Sequence, residues 1–149
     1  MKKEKNNFKI DFIGIGAQRS GTTWLSQCLA EHPQICLSQP KETHFFGNKK
    51  YNFGLSWYKK NFSPKENQIV GEFDAGYYLS KKAAQQIKKH FPNVKIIISL
   101  RNPIERAFSN YQSVTAFEKK SSFEKWLKDN PEMIERGFYW THLKKYFEL

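Results

Sequence analysis

The sequence predicts an α/β domain, three layers deep (α/β/α) with a parallel sheet at its centre. Two short apolar runs carry strand signatures, a helical segment follows each, and glycine or proline separates the segments. Phe8–Gly16 (FKIDFIGIG) is the first strand, ending in glycines. From Thr22 to Glu31, Trp24, Leu25, Cys28 and Leu29 recur at helical spacing. Ser80 opens a second helix, SKKAAQQIKKHF, which Pro92 closes. Val94–Leu100 (VKIIISL) is a β-branched run of the kind that lies inside a parallel sheet. Another helix starts near Pro103, and Ser121 with Glu124 has the spacing of a capping box ahead of Trp126 and Leu127. Gly137 sets off a last aromatic segment, FYWTHLKKYFEL, and the stretch Lys41–Tyr58 is left open as mostly loop.

The 149 residues, 39% hydrophobic and 16% aromatic, suffice for one packed core, so residues 1–149 form a single domain. The net charge of +11 favours an anionic partner, although pairs such as Lys2-Lys3, Lys49-Lys50 and Lys119-Lys120 also fit ordinary solvated surface. The basic charge is dispersed and no nucleic-acid motif occurs, so no nucleic-acid partner is expected. Met1–Lys9 is polar, and Asp11 and glycines interrupt the apolar run behind it. Neither a signal peptide nor a membrane span is expected, which places the protein in the cytoplasm. Cys28 and Cys36 lack CxxC spacing and a matching histidine cluster; they are expected to be small buried residues, with no metal site.

Gly16–Thr23 (GAQRSGTT) has the GxxxxG spacing of a strand-to-helix loop that holds phosphate on backbone N–H groups and a helix N-terminus. Gln18, Arg19, Ser20, Gly21, Thr22 and Thr23 are the candidate phosphate-binding residues. A nucleoside triphosphatase or kinase carries Lys directly after the second glycine, where this chain has Thr22. The cation lies earlier, at Arg19, and the later strand ends in Arg101 rather than in an Asp that could hold magnesium. A metal-free donor with one 5′-phosphate fits better.

QRSGTTWL resembles the 5′-phosphosulfate loop of the sulfotransferases, and LRNPIERAFSNY resembles their second motif. The resemblance implies 3′-phosphoadenosine 5′-phosphosulfate (PAPS) as donor, with Arg101 and Ser109 on its 3′-phosphate. RGFYWTHLKKYF is similar to a segment that lies against the nucleotide, which adds Arg136, Gly137 and Tyr139. Lys41–Phe46 (KETHFF) resembles the KE-x-HFF stretch of carbohydrate sulfotransferases, whose glutamate is the general base. By that resemblance Glu42 is the base, His44 the alternative, and Arg19 the group that stabilises the leaving phosphate. Phe45 and Phe46 would wall Glu42 from water.

GEFDAGYYLS departs from the pattern, because Phe73-Asp74-Ala75 stands where Lys-Thr-Pro or Lys-Ser-Pro is usual. The resemblance covers about residues 8–147, and relatives usually continue with another strand and a basic closing loop. The domain is therefore expected to be incomplete at its C-terminus, with homo-oligomer formation one way to cover an open edge. The leading expectation is a PAPS-dependent sulfotransferase acting on a hydroxyl of a carbohydrate or glycolipid. Its rivals are a PAPS-binding module without turnover and, behind it, a kinase or triphosphatase.

Overall fold

The computed structural model describes residues 8–116 and 121–148; Lys2-Lys3 and Lys119-Lys120 lie outside them. Four strands, β1 (Phe12–Gly16), β2 (Ile35–Leu37), β3 (Ile69–Phe73) and β4 (Lys95–Ile98), form one parallel sheet in the order β2-β3-β1-β4. Among the described residues seven α-helices accompany them: α1 (Thr22–Ala30), α2 (Gly54–Lys59), α3 (Lys81–His90), α4 (Pro103–Val114), α5 (Phe123–Asp129), α6 (Glu132–Glu135) and α7 (Tyr139–Phe147). Among the described residues no helix is long and apolar enough to cross a membrane.

The pleat of β1 divides the sheet into two faces. Ile13 and Ile15 point into a core shared with Phe45, Phe46, Tyr58, Tyr77, Ala83 and Ile87, against which Leu143 and Tyr146 of α7 pack. On the opposite face, Leu29 of α1 stands over Phe12, Ile35 and Ile97 around a hollow of about 610 Å³. Two aromatic rings lie over glycines of the neighbouring strand: Phe12 pairs with Gly71, and Phe73 with Gly14. A Cβ on Gly14 would come within 2.1 Å of the Phe73 ring, so the side-chain-free position makes room for it.

Local signals explain the helix starts. Ser80 caps α3 by accepting from the Ala83 N–H, and Asn102 caps α4 ahead of Pro103. The cap of α5 is Ser122, which accepts from the Lys125 N–H, one residue later than the expected Ser121. Three further expectations are corrected. β4 is an edge strand among the described residues, with Ile96 38% exposed, because it bonds to β1 alone. Cys28 is exposed and Cys36 half-buried, since Cys28 sits on the outward side of α1. The stretch left open as loop contains a 3-10 turn at Lys49–Phe53 and then α2.

Candidate functional site

All four strands run in one direction, so the segments leaving their carboxyl ends collect at one rim of the sheet. The first is the glycine loop between β1 and α1. Arg19 (φ 67°) and Gly21 (φ 78°) both adopt left-handed backbone, and Gly21 caps α1 without a side chain. A Cβ on Gly21 would meet nothing within 4 Å, so the space over the start of the helix is open. Among the described residues Ser20 Oγ is buried without a hydrogen-bond partner, an arrangement that costs free energy unless a ligand completes it. Thr22 is buried and Thr23 exposed. The loop is stitched to the exit of β4: Ala17 N–H donates to the Ser99 carbonyl (2.8 Å), Ser99 N–H to Gly16 (2.9 Å), and Ser99 Oγ to the Ser20 carbonyl (2.6 Å).

The candidates from distant parts of the chain interlock here. Arg19 Nε donates to Ser109 Oγ at 3.2 Å, bringing the loop against α4. Arg136 Nη1 donates to Gln18 Oε1 at 3.2 Å, and the Tyr139 hydroxyl donates to the Arg101 carbonyl at 2.7 Å. Gly137 lets this turn press on α4, since a Cβ there would come within 2.8 Å of Pro103. The Arg101 guanidinium pairs with Glu105 at 3.1 Å on a side chain 42% accessible. An exposed i,i+4 pair of this kind contributes a few tenths of a kcal/mol, so an arriving phosphate can displace it.

The exits of β2 and β3 supply the second half of the rim. Glu42 Oε1 accepts from Lys41 Nζ (3.2 Å) and from the Ala75 N–H (3.4 Å), while Lys41 also reaches Thr23 Oγ1 (3.4 Å) at the start of α1. His44, at φ 52°, donates its backbone N–H to Asp74 Oδ2 (3.0 Å), and its ring Nδ1 lies 2.9 Å from the same oxygen. A cleft of about 220 Å³ opens between Gln18, Glu42, His44, Asp74, Gly76 and Tyr77, so it runs from the phosphate loop to the carboxylates. Burial raises the Asp74 carboxyl's proton affinity, the Gly76 N–H and His44 draw it back, and Glu42 adds to the rise. Donor atoms of Glu42, His44 and Asp74 all fall within 4.8 Å of one another and could together hold a cation. Asp74 and the His44 ring already satisfy each other, and Glu42, 3.9 Å from the far ring nitrogen, completes the row without a hydrogen bond to it.

Behind this row lies Glu72, fully buried. It accepts from the Thr43 N–H (3.2 Å) and the Thr43 hydroxyl, from Tyr77 (3.1 Å) and from Tyr58 (2.5 Å). Burial pushes its pKa up to about 7, against the pull of the Thr43 and Tyr58 hydroxyls and with a further push from Asp74.

Residues 9–149 match the sulfotransferase domain family. The chain belongs to the sulfotransferases. It is 33% identical over 156 residues to a bifunctional heparan sulfate N-deacetylase/N-sulfotransferase 1 of Caenorhabditis elegans, covering 93% of the chain and 18% of that protein. With a membrane-associated sulfotransferase of Dictyostelium discoideum it shares 35% identity over 136 residues, 84% of the chain and 29% of the relative. Among solved structures, a sulfotransferase from Alicyclobacillus acidocaldarius superposes with a TM-score of 0.79 at 28% identity, over 95% of this chain and 69% of that one. The chain thus spans less than a third of the length of these two curated relatives.

Within this sulfotransferase domain the hydrogen bonds of Gln18, Arg19, Arg101, Ser109, Arg136 and Tyr139 link three segments around the glycine loop, and Glu42 and His44 line the adjoining cleft; two expectations change. Phe45 and Phe46 are fully buried in the core, with Phe45 stacked on Trp57 and Tyr58, so the pair packs the fold instead of walling Glu42 as a unit. Ser109 bonds to Arg19, while Arg101 turns its guanidinium to Glu105. Sequence reasoning missed Asp74 and the link from Lys41 to Thr23. The signal for Asp74 was on the page as the carboxylate in Phe73-Asp74-Ala75, yet its partner is 30 residues away.

Proposed function

We propose that the chain carries out sulfuryl transfer from PAPS to a carbohydrate nucleophile. The interlock of residues 18–23, 101–109 and 136–139 around one open helix N-terminus, centred on the Arg19–Ser109 bond, supports this reading. Backbone N–H groups at Gly21–Thr23 and the unpartnered Ser20 hydroxyl would hold the 5′-phosphosulfate. Arg101 and Ser109 would take the 3′-phosphate, and Arg136 and Tyr139 would fix the loop and strand end that carry them. Arg19 supplies positive charge to the phosphate oxygen that departs as the sulfur–oxygen bond breaks. Glu42, at the other end of the cleft, accepts the proton of the attacking group. The carbohydrate class is drawn from the heparan sulfate in the name of the Caenorhabditis elegans relative. A cytoplasmic location belongs to the same proposal, on the unpaired state of Cys28 and Cys36, and is tested by fractionation of cells expressing the chain.

The test is calorimetric titration with adenosine 3′,5′-bisphosphate, the product nucleotide. Each hydrogen bond to a charged group contributes about 1.5 to 3 kcal/mol, so Arg19→Ala and Arg101→Ala are each expected to weaken binding by roughly tenfold to a hundredfold. Equal affinity in the wild type and both variants rejects the site.

A further inference from the structure

Inside the protein, α4 carries a charge that no neighbouring carboxylate neutralises, and its reading here rests on the donor site proposed above. We infer that Arg106 is a specificity determinant for the donor: a buried cation, out of contact with the ligand, whose field favours a nucleotide with two phosphates over a nucleotide with one.

Arg106 is 1% exposed. It lies between Arg101 and Ser109, the two groups proposed for the 3′-phosphate, and one helical turn before Ser109 on the same face of α4. Its Nη2 donates to the Met133 carbonyl of α6, while Nε is buried with no hydrogen-bond partner among the described residues. None of the ion pairs among the described residues includes it. The Tyr78 phenol lies within reach of its charge. Burial raises that phenol's proton affinity, the Arg106 and Arg136 guanidiniums pull it back, and the balance leaves it raised. Tyr78 therefore stays neutral and offers Arg106 no counter-charge. Its hydroxyl donates to the Arg136 carbonyl at 3.3 Å, and its ring lies so close to the start of the glycine loop that a Cβ on Gly16 would come within 2.7 Å. The unpaired charge thus sits behind α4, the glycine loop and the Arg136 turn, the three segments that surround the proposed nucleotide site.

A guanidinium keeps its charge wherever it is placed, and burial strips it of water. Without a partner it costs free energy. The Met133 carbonyl needs a donor but not a charge, so this hydrogen bond alone does not account for a cation here. In the interior a field is weakly screened and reaches beyond the atoms in contact. A phosphate settling on Arg101 and Ser109 would lie on the same side of α4 as Arg106. It would gain from a charge it never touches, and the cation would gain the compensation that the free chain lacks. The gain grows with the charge of the ligand, so a bisphosphate draws more from Arg106 than a monophosphate does.

Calorimetric titration of the 149-residue chain with adenosine 3′,5′-bisphosphate and with adenosine 5′-monophosphate tests this. Arg106→Gln keeps a donor for the Met133 carbonyl and removes the charge. It is expected to weaken the bisphosphate about tenfold and the monophosphate no more than about threefold. Its unfolding midpoint without nucleotide is expected to equal or exceed that of the wild type, since an uncompensated charge is gone. Arg106→Met, apolar and unbranched, is expected to show the same selective loss and serves as the second variant where the glutamine does not fold. Unchanged affinities, or an equal loss for both nucleotides, overturn the inference while leaving the donor site in place. Failure of both variants to fold makes Arg106 a structural strut and overturns it too. A wild type that binds neither nucleotide overturns the donor reading itself.

Discussion

The two halves of the rim are built differently. The side proposed for the nucleotide is a contiguous loop shaped by its own backbone: Arg19 and Gly21 turn it, and Ser99 stitches it down at the start of α1. The side proposed for the acceptor is composite, assembled from the exits of β2 and β3, with Glu42 and His44 on one and Asp74 on the other. A loop that binds through its own backbone leaves its mark in spacing. A site made where two strand ends meet leaves no such mark, because sheet order decides which residues face each other.

This contrast can be broken most sharply at Glu42. Glu42→Gln is expected to lower kcat for sulfuryl transfer by about 10² to 10⁴, with affinity for adenosine 3′,5′-bisphosphate unchanged. A loss of nucleotide binding as large as that of Arg101→Ala would mean that the halves are not separable.

The next effect concerns stability. Glu72 titrates at about 7 in the folded chain against an ordinary value of 4.5, so the fold holds its proton more tightly than the unfolded chain does. Its contribution is present in full below about pH 4.5 and is lost as pH rises through 7. The difference is about 3 kcal/mol by linkage. Urea unfolding at several pH values is expected to follow that decline in the wild type and to lose most of it in Glu72→Gln. An unchanged slope in the variant would place the pH dependence on other groups.

The smallest effect tests the nucleotide side. Ser20→Ala removes a buried hydroxyl that has no partner, so stability is expected to hold or rise by up to about 1 kcal/mol while nucleotide affinity falls about fivefold. A marked loss of stability would make the hydroxyl structural and weaken the case for a ligand there.

Much of this was legible in the residues. QRSGTTWL and LRNPIERAFSNY are segments that the fold joins through the Arg19–Ser109 bond, and the apolar runs Phe8–Gly16 and Val94–Leu100 contain the neighbouring strands β1 and β4. The sequence reading passed over β2 and β3. Three residues are too few for β2 to show a period, and Gly71 and Glu72 interrupt the apolar run of β3. Those interruptions have tertiary causes: Gly71 makes room for the Phe12 ring, and Glu72 is accommodated by hydroxyls from Thr43, Tyr58 and Tyr77. With β2 and β3 unseen, the meeting of His44 and Asp74 could not be foreseen.

The Tyr58 hydroxyl, on α2 and wholly enclosed, is joined through Glu72 to Thr43, the residue between Glu42 and His44. A survey that ranked residues by lost turnover would therefore flag Tyr58→Phe alongside the groups lining the cleft. The phenylalanine would act by loosening the peg on which the turn carrying Glu42 and His44 hangs, without ever reaching the cleft.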